Sequence, residues 1–181
     1  MLAKIVDVVV AVTAQTLDLI GPFVDVVLFD DDLGFQDRGY MRRTVYQDIV
    51  KPHHARVVKA IKDHSNARVV LHSDGSIRDY LPDLIEIGVD GINPVQVSAA
   101  RMDSAELKHE FGNDLCFWGA IDTQRVLPFG TPNEVRLEVQ KRITDLAPGG
   151  GYIAASCHNI LEEVPAQNIK AMFDAIHEFG T

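Results

Sequence analysis

Two short stretches carry the side chains best suited to chemistry. His72-Ser73-Asp74-Gly75 places an imidazole and a carboxylate two residues apart, and Cys157-His158-Asn159 brings a thiol and a second imidazole. In an extended segment, residues i and i+2 project to the same side, so His72 and Asp74 can reach one ion together. His158 can add a third ligand, with Cys157 as the alternative. Imidazole and carboxylate suit zinc or a similar divalent ion, and three protein ligands leave one position open for substrate. A plainer reading makes Asp74-Gly75-Ser76 a turn that leads into a helix cap. Cys157 beside His158 is weak as a nucleophile and base, because neighbours on an extended chain point in opposite directions.

More polar groups recur in similar places. Asp30, Asp31, Asp32 and Gln36 follow one apolar run, Asn93 and Gln96 follow another, and Asp122 and Gln124 a third. Asp31, Gln36 and His158 are candidate catalytic groups. Asn93, Gln96, Asp122 and Gln124 are candidate substrate ligands.

The elements that must position these groups alternate along the chain. Leu2, Ile5, Val8, Val9 and Val12 form a helical apolar face, and Gly21-Pro22 stops that helix. Val24 to Phe29 is a short apolar run of the kind found in strands buried on both faces of parallel sheets. A helix follows from about Val45 to Asp63, with Thr44 and Gln47 as a capping box and Pro52 as a kink or break. Arg68 to His72 is the second strand. Ser76 is expected to cap a helix through Ile87 that stops at Gly88.

Gly91 to Asn93 is the third strand. Asp103 and Glu106 open a helix that ends at Gly112, and Leu115 to Ile121 is the fourth strand. Thr131, Pro132 and Glu134 combine a cap, a Pro at N1 and a Glu at N3, and that helix runs to about Leu146. Tyr152 to Ser156 is the fifth strand, and Pro165 opens a last helix before Gly180. Gly149-Gly150-Gly151 precedes a strand, not a helix, so a tight turn suits it better than a phosphate loop. Phe117 and Trp118 should point to opposite faces of the fourth strand, both as core. His53, His54 and His109 lie on helices and read as packing or surface residues.

Strict strand–helix alternation implies a parallel sheet with right-handed crossovers, either doubly wound or part of a barrel. No G-x-G-x-x-G follows the first strand, which removes support for a dinucleotide site. The polar residues all fall just after strands, where the loops of such folds ring an active site, while the opposite ends carry plain turns. Composition narrows the classes further. The chain has 181 residues, 46% of them hydrophobic, enough for one domain with a core. A net charge of −9 argues against nucleic-acid binding. Two cysteines argue against a disulfide framework and suit a reducing cytoplasm. The apolar stretch Ile5 to Val12 contains Asp7 and is too short to span a membrane.

Six stretches together carry a family resemblance: YQDIVKP (Tyr46 to Pro52), VLHSDG (Val70 to Gly75), GVDGINPVQ (Gly88 to Gln96), FWGAIDT (Phe117 to Thr123), GTPNEV (Gly130 to Val135) and CHNILEEVPAQNI (Cys157 to Ile169). The chain resembles the uroporphyrinogen decarboxylase superfamily, which includes true decarboxylases and corrinoid-linked methyltransferases. The resemblance implies a single α/β domain over residues 1–181, a partial (β/α)8 TIM barrel of about the last five units. The N-terminal units, with the cationic residues that bind porphyrinogen in true decarboxylases, have no counterpart. It places His158 at a substrate-contacting histidine of true decarboxylases. The methyltransferases' zinc-binding His-x-Cys falls at His72 to Asp74, and their second cysteine falls near His158. By this resemblance the HSDG form looks closer to the methyltransferase-like branch.

The expected function is therefore metal-assisted methyl transfer or demethylation, with zinc or a similar ion here and a corrinoid on a partner protein. Uroporphyrinogen decarboxylation is the alternative enzyme, and an inactive fragment is a third reading. Five strands cannot close a barrel of eight, so exposed edges and a homodimer that buries them are also expected.

Overall fold

The computed structural model describes residues 1–180. The first helix, α1 (Leu2–Ile20), ends at a 3-10 turn over Gly21–Phe23, where Pro22 follows Gly21. Five strands follow in alternation with helices: β1 (Val26–Asp30), β2 (Arg68–His72), β3 (Gly91–Asn93), β4 (Cys116–Ile121) and β5 (Tyr152–Ser156). They form one sheet in the order β1-β2-β3-β4-β5, and every pairing is parallel. This is the α/β arrangement of a partial TIM barrel, with each strand beside its neighbour in sequence.

Strand alternation sets what each face of the sheet does. Val69, Leu71, Ile92 and Phe117 are wholly buried under the helices. Val27 and Phe29 pack into the same core. The opposite face, which would line a closed barrel, is open on its outer strands, where Leu28 and Ile153 are each 43% exposed, while Val70 beside Leu28 is buried. Trp118 lies on that side, in register with Ile153, and is half-buried, whereas Phe117 is fully buried. The expectation of two core aromatics therefore holds for one of them. A second apolar cluster, with Ile121, Leu127, Val139 and Met172, joins the end of β4 to α7 (Pro132–Leu146) and α8 (Ala166–Phe179).

The helices follow the sequence pattern with informative exceptions. Thr131 caps α7 by accepting from the Glu134 N–H, while Glu134 accepts from the Thr131 N–H in return. Asp103 accepts from the Glu106 N–H at the start of α5 (Ser104–Phe111). The expected capping box at Thr44 and Gln47 is not formed. The helix begins earlier, with α2 (Arg43–Val45), and the Gln47 amide is drawn away to donate to Asp83 at 2.9 Å. The kink or break expected near Pro52 in the Val45–Asp63 helix is present. A π turn over Tyr46–Val50 separates α2 from α3 (Lys51–His64), with Pro52 in the first turn of α3.

Ser76 does not cap a helix. Its hydroxyl donates to the Ala100 carbonyl at 2.7 Å, and the helix is delayed to a 3-10 turn at Arg78–Tyr80 and α4 (Leu81–Glu86). A short α6 (Val126–Phe129) was not visible in the sequence pattern.

The apolar residues of α1 were expected to face a core, but Ile5, Val8 and Val12 are exposed, and only Val6 and Leu17 are buried. The helix packs against α3 on one side and finds no further strand to cover among the described residues. By length and composition alone the segment Leu2–Phe23 is apolar enough to cross a membrane, longer than the Ile5 to Val12 stretch suggests. It carries Asp7 and Asp18, which pair with Arg56 and His64 of α3 at 2.5 and 2.7 Å.

Candidate metal centre

The loop after β2 is held by hydrogen bonds to several other elements. Four consecutive N–H groups have partners from other elements: Ser73 donates to the Asn93 carbonyl at 2.7 Å and Ser76 to that of Phe35 at 2.8 Å. Between them, Asp74 donates to the Asp32 carboxylate at 2.9 Å and Gly75 to the Gln96 side chain at 2.7 Å. The Ser73 hydroxyl accepts from the Leu33 N–H at 2.9 Å. Gly75 takes φ +84°, and a Cβ there would lie 2.3 Å from the Gly34 carbonyl oxygen, so only glycine fits against the β1 loop.

This loop brings His72 and Asp74 together with His158 from the end of β5. Asp74 Oδ2 is 3.9 Å from His72 Nε2 and 3.7 Å from His158 Nε2. One ligand atom from each of the three residues falls within 4.8 Å of the others. Zinc bonds of about 2.1 Å in a tetrahedron put ligand atoms about 3.4 Å apart, so small side-chain rotations would close the set.

The orientation of His72 is fixed from behind. Its Nδ1 lies 2.6 Å from Asn93 Oδ1, and the Asn93 amide nitrogen donates to the Trp118 carbonyl at 3.4 Å. Because Oδ1 can only accept, Nδ1 carries the proton and the Nε2 lone pair is left for a cation. Asn93 thus meets His72 from behind, whatever it offers a substrate.

Cys157 does not join these three. It is buried, and its thiol lies 3.6 Å from the Val95 carbonyl, to which it donates. Burial, followed by the nearby Asp74 and Asp122 carboxylates, pushes that thiol up to about 12. At neutral pH it is a protonated, hydrogen-bonded core group, poorly suited to bind metal or attack substrate.

The other sequence-selected residues are placed as follows. Asp31 does not line the cavity beside His158. Its carboxylate meets His54 Nε2 at 2.9 Å, and His54 Nδ1 meets the Tyr46 hydroxyl at 3.1 Å. His54 and Tyr46 are both buried, so of the packing and surface roles expected for His54 the structure shows packing, as a polar contact in the core. The π turn explains the missed signal. In a regular helix, residues seven apart share a face; the π turn absorbs one extra residue, so Tyr46 and His54, eight apart, face the same way.

Gln36, Gln96 and Gln124 interlock. Gln96 donates to Gln36 at 2.7 Å, Gln36 donates to the Ser98 carbonyl, and the Ser98 hydroxyl donates to Gln124 at 3.0 Å. Asp122 accepts from the Gln124 and Arg125 N–H groups at 2.7 and 3.4 Å, closing its own turn ahead of α6. A cavity of about 480 Å³ opens beside these groups, lined by Asp74, Gln124, Phe129, His158 and Leu161 among others. Phe129 is 80% exposed at its rim.

Comparison with known proteins gives one family. The family described as uroporphyrinogen decarboxylase (URO-D) matches residues 1–179. A uroporphyrinogen decarboxylase from Vesicomyosocius okutanii is 26% identical over 143 residues, covering 78% of this chain and 39% of the relative. That from Legionella pneumophila strain Corby is 25% identical over 172 residues, covering 94% of this chain and 46% of the relative. The chain therefore spans less than half the length of these curated relatives. Among solved structures, a methyltransferase from Methanosarcina mazei superposes with a TM-score of 0.73 at 17% identity, over 95% of this chain and 48% of that one. This likeness establishes the shared fold.

Proposed function

Because the chain belongs to the uroporphyrinogen decarboxylase family, we propose that its strand ends form the metal-holding side of the mouth of a methyltransferase or demethylase that works with a corrinoid carrier. The observation that carries this reading is the convergence of His72, Asp74 and His158 on one point. The donor set fits zinc or a similar divalent ion, since two neutral imidazoles and a carboxylate are ordinary ligands for it. The chemistry that such an ion supplies when bound is Lewis acidity, which lowers a thiol pKa or polarises an ether oxygen.

The chain's own residues do the rest. Asn93 holds the proton on His72 Nδ1 and so presents Nε2 to the cation. The clamped loop at Ser73 to Ser76 holds the Asp74 backbone and leaves its carboxylate free to turn towards the cation. Phe129 and Leu161 give the cavity an apolar rim that can shield a methyl group from water. Asp74 and Glu163 line the cavity, and none of its lining residues is Lys or Arg. That charge pattern disfavours a polycarboxylate substrate on this side of the mouth, which ranks methyl transfer above porphyrinogen decarboxylation.

Decarboxylation stays as a second reading because the curated relatives carry that name. Metal analysis of protein purified without a metal-affinity tag tests the first reading. A near-stoichiometric transition ion that disappears in His72→Ala supports it, and metal-free wild type refutes it. Turnover of uroporphyrinogen to coproporphyrinogen would reverse the ranking.

A further inference from the structure

We infer that Asp32 and Gln96 are positioning residues of the His72–Asp74–His158 cluster, not substrate ligands. The assignment rests on the metal reading above and extends it to residues that touch no cation themselves. Asp74 can serve as a ligand only if its backbone is held while its carboxylate stays free. Its N–H is taken by Asp32 Oδ1 at 2.9 Å, and the next N–H, that of Gly75, by Gln96 Oε1 at 2.7 Å. These two oxygens come from different elements, the loop after β1 and the loop after β3, so they pin the segment from two sides.

Gln96 cannot turn elsewhere. It is only 7% exposed, and its amide nitrogen donates to Gln36 Oε1 at 2.7 Å. Gln36 Oε1 also faces the Gln124 amide at 3.5 Å, and Gln124, like Gln96 itself, lines the cavity. An unbroken chain of amides therefore runs from the cavity wall to the residue next to a metal ligand. Supporting hydrogen bonds of this kind set ligand geometry, and their loss commonly lowers metal affinity about 10–100-fold.

Paired substitutions separate positioning from bulk structure. Asp32→Ala removes the acceptor for the Asp74 N–H, whereas Asp32→Asn keeps a carbonyl oxygen there. Gln96→Leu removes both the acceptor for Gly75 and the donor to Gln36. Cobalt(II) binding followed by visible absorption reads affinity and ligand geometry together, and thermal melting checks that each variant is folded. Asp32→Ala and Gln96→Leu should bind cobalt about 10–100-fold more weakly with shifted bands, while Asp32→Asn stays close to wild type. Asp32 is exposed, so its pair decides the question even if the buried Gln96→Leu fails to fold. Asp32→Ala with wild-type affinity and spectrum overturns the assignment. A wild type that binds no cobalt, or binds it equally well as His72→Ala, overturns the metal reading itself.

Discussion

Replacing Gly75 with alanine isolates what the loop after β2 requires. Gly75 has φ +84°, and an added Cβ would lie 2.3 Å from the Gly34 carbonyl oxygen and 2.6 Å from that of Phe35. Both are backbone atoms and cannot swing aside. Left-handed backbone costs alanine about 1 kcal/mol, partly offset by about 0.5 kcal/mol from a stiffer unfolded chain. Relieving the contact must also part the Gly75 N–H from Gln96 and the Ser76 N–H from Phe35. At about 1 kcal/mol each, those bonds bring the total to roughly 2.5 kcal/mol.

Gly149 supplies the control, because it has φ +80° with nothing within 4 Å of its added Cβ. Gly149→Ala should therefore lose no more than about 1 kcal/mol. For a chain of this length each kcal/mol moves the melting temperature by about 2–4 °C. Circular dichroism melts should then place Gly75→Ala about 5–10 °C below wild type and Gly149→Ala within about 4 °C of it. If the two variants melt together, the close approach of the two loops is not what demands glycine at 75.

Three further outcomes follow from the same geometry. Burial raises the Asp83 carboxyl, but hydrogen bonds from Arg43, Lys51 and Gln47 outweigh it and hold the group at about 2. Because that lies below the unfolded value near 4, its contribution of about 2 kcal/mol is complete above pH 4 and lost as pH falls towards 2. Urea titrations should show this acid loss in wild type, and an equally steep loss in Asp83→Asn would contradict it. Iodoacetamide at pH 8 should leave Cys157 unmodified in the folded protein and label it once urea is added, since burial first, and then Asp74 and Asp122, keep it a thiol. Rapid native labelling in peptide mass spectra would contradict that. Light scattering across a dilution series should report a two-fold dimer of the 20.0 kDa chain, formed to cover the open face around Leu28 and Ile153, and a stable monomer at micromolar concentration would refute it.

Local rules read most of this fold from sequence because its elements are local. The β2, β3 and β5 bounds, the α7 capping box and the Asp103 cap all depend on residues a few positions apart. What escaped depends on partners far along the chain. Gln47 leaves its cap for Asp83, 36 residues away, and Ser76 leaves its cap for Ala100. The exposure of the α1 apolar face is likewise invisible locally, since a helical stripe says what it would bury and not whether a strand is there to receive it. At the site, the meeting of His72, Asp74 and His158 could be anticipated from their common position after strands. The commitment of Gln96 to Gly75 could not, because an amide donates and accepts equally well to substrate or to backbone.

The sequential strand order also governs how the molecule should breathe. Each strand pairs only with its neighbours in sequence, and the apolar core divides into a large cluster and a smaller one under α7 and α8. Such a sheet resembles a short solenoid, in which opening proceeds from the ends and need not involve the whole structure. Amides of β3, flanked on both sides, should exchange with solvent most slowly, and those of β1 and β5 fastest. His72 ends and Asp74 follows a strand held from both sides, while His158 follows β5, an edge strand. The cluster should thus join one slow element to one fast element, with β5 fraying expected to set the rate at which it comes apart.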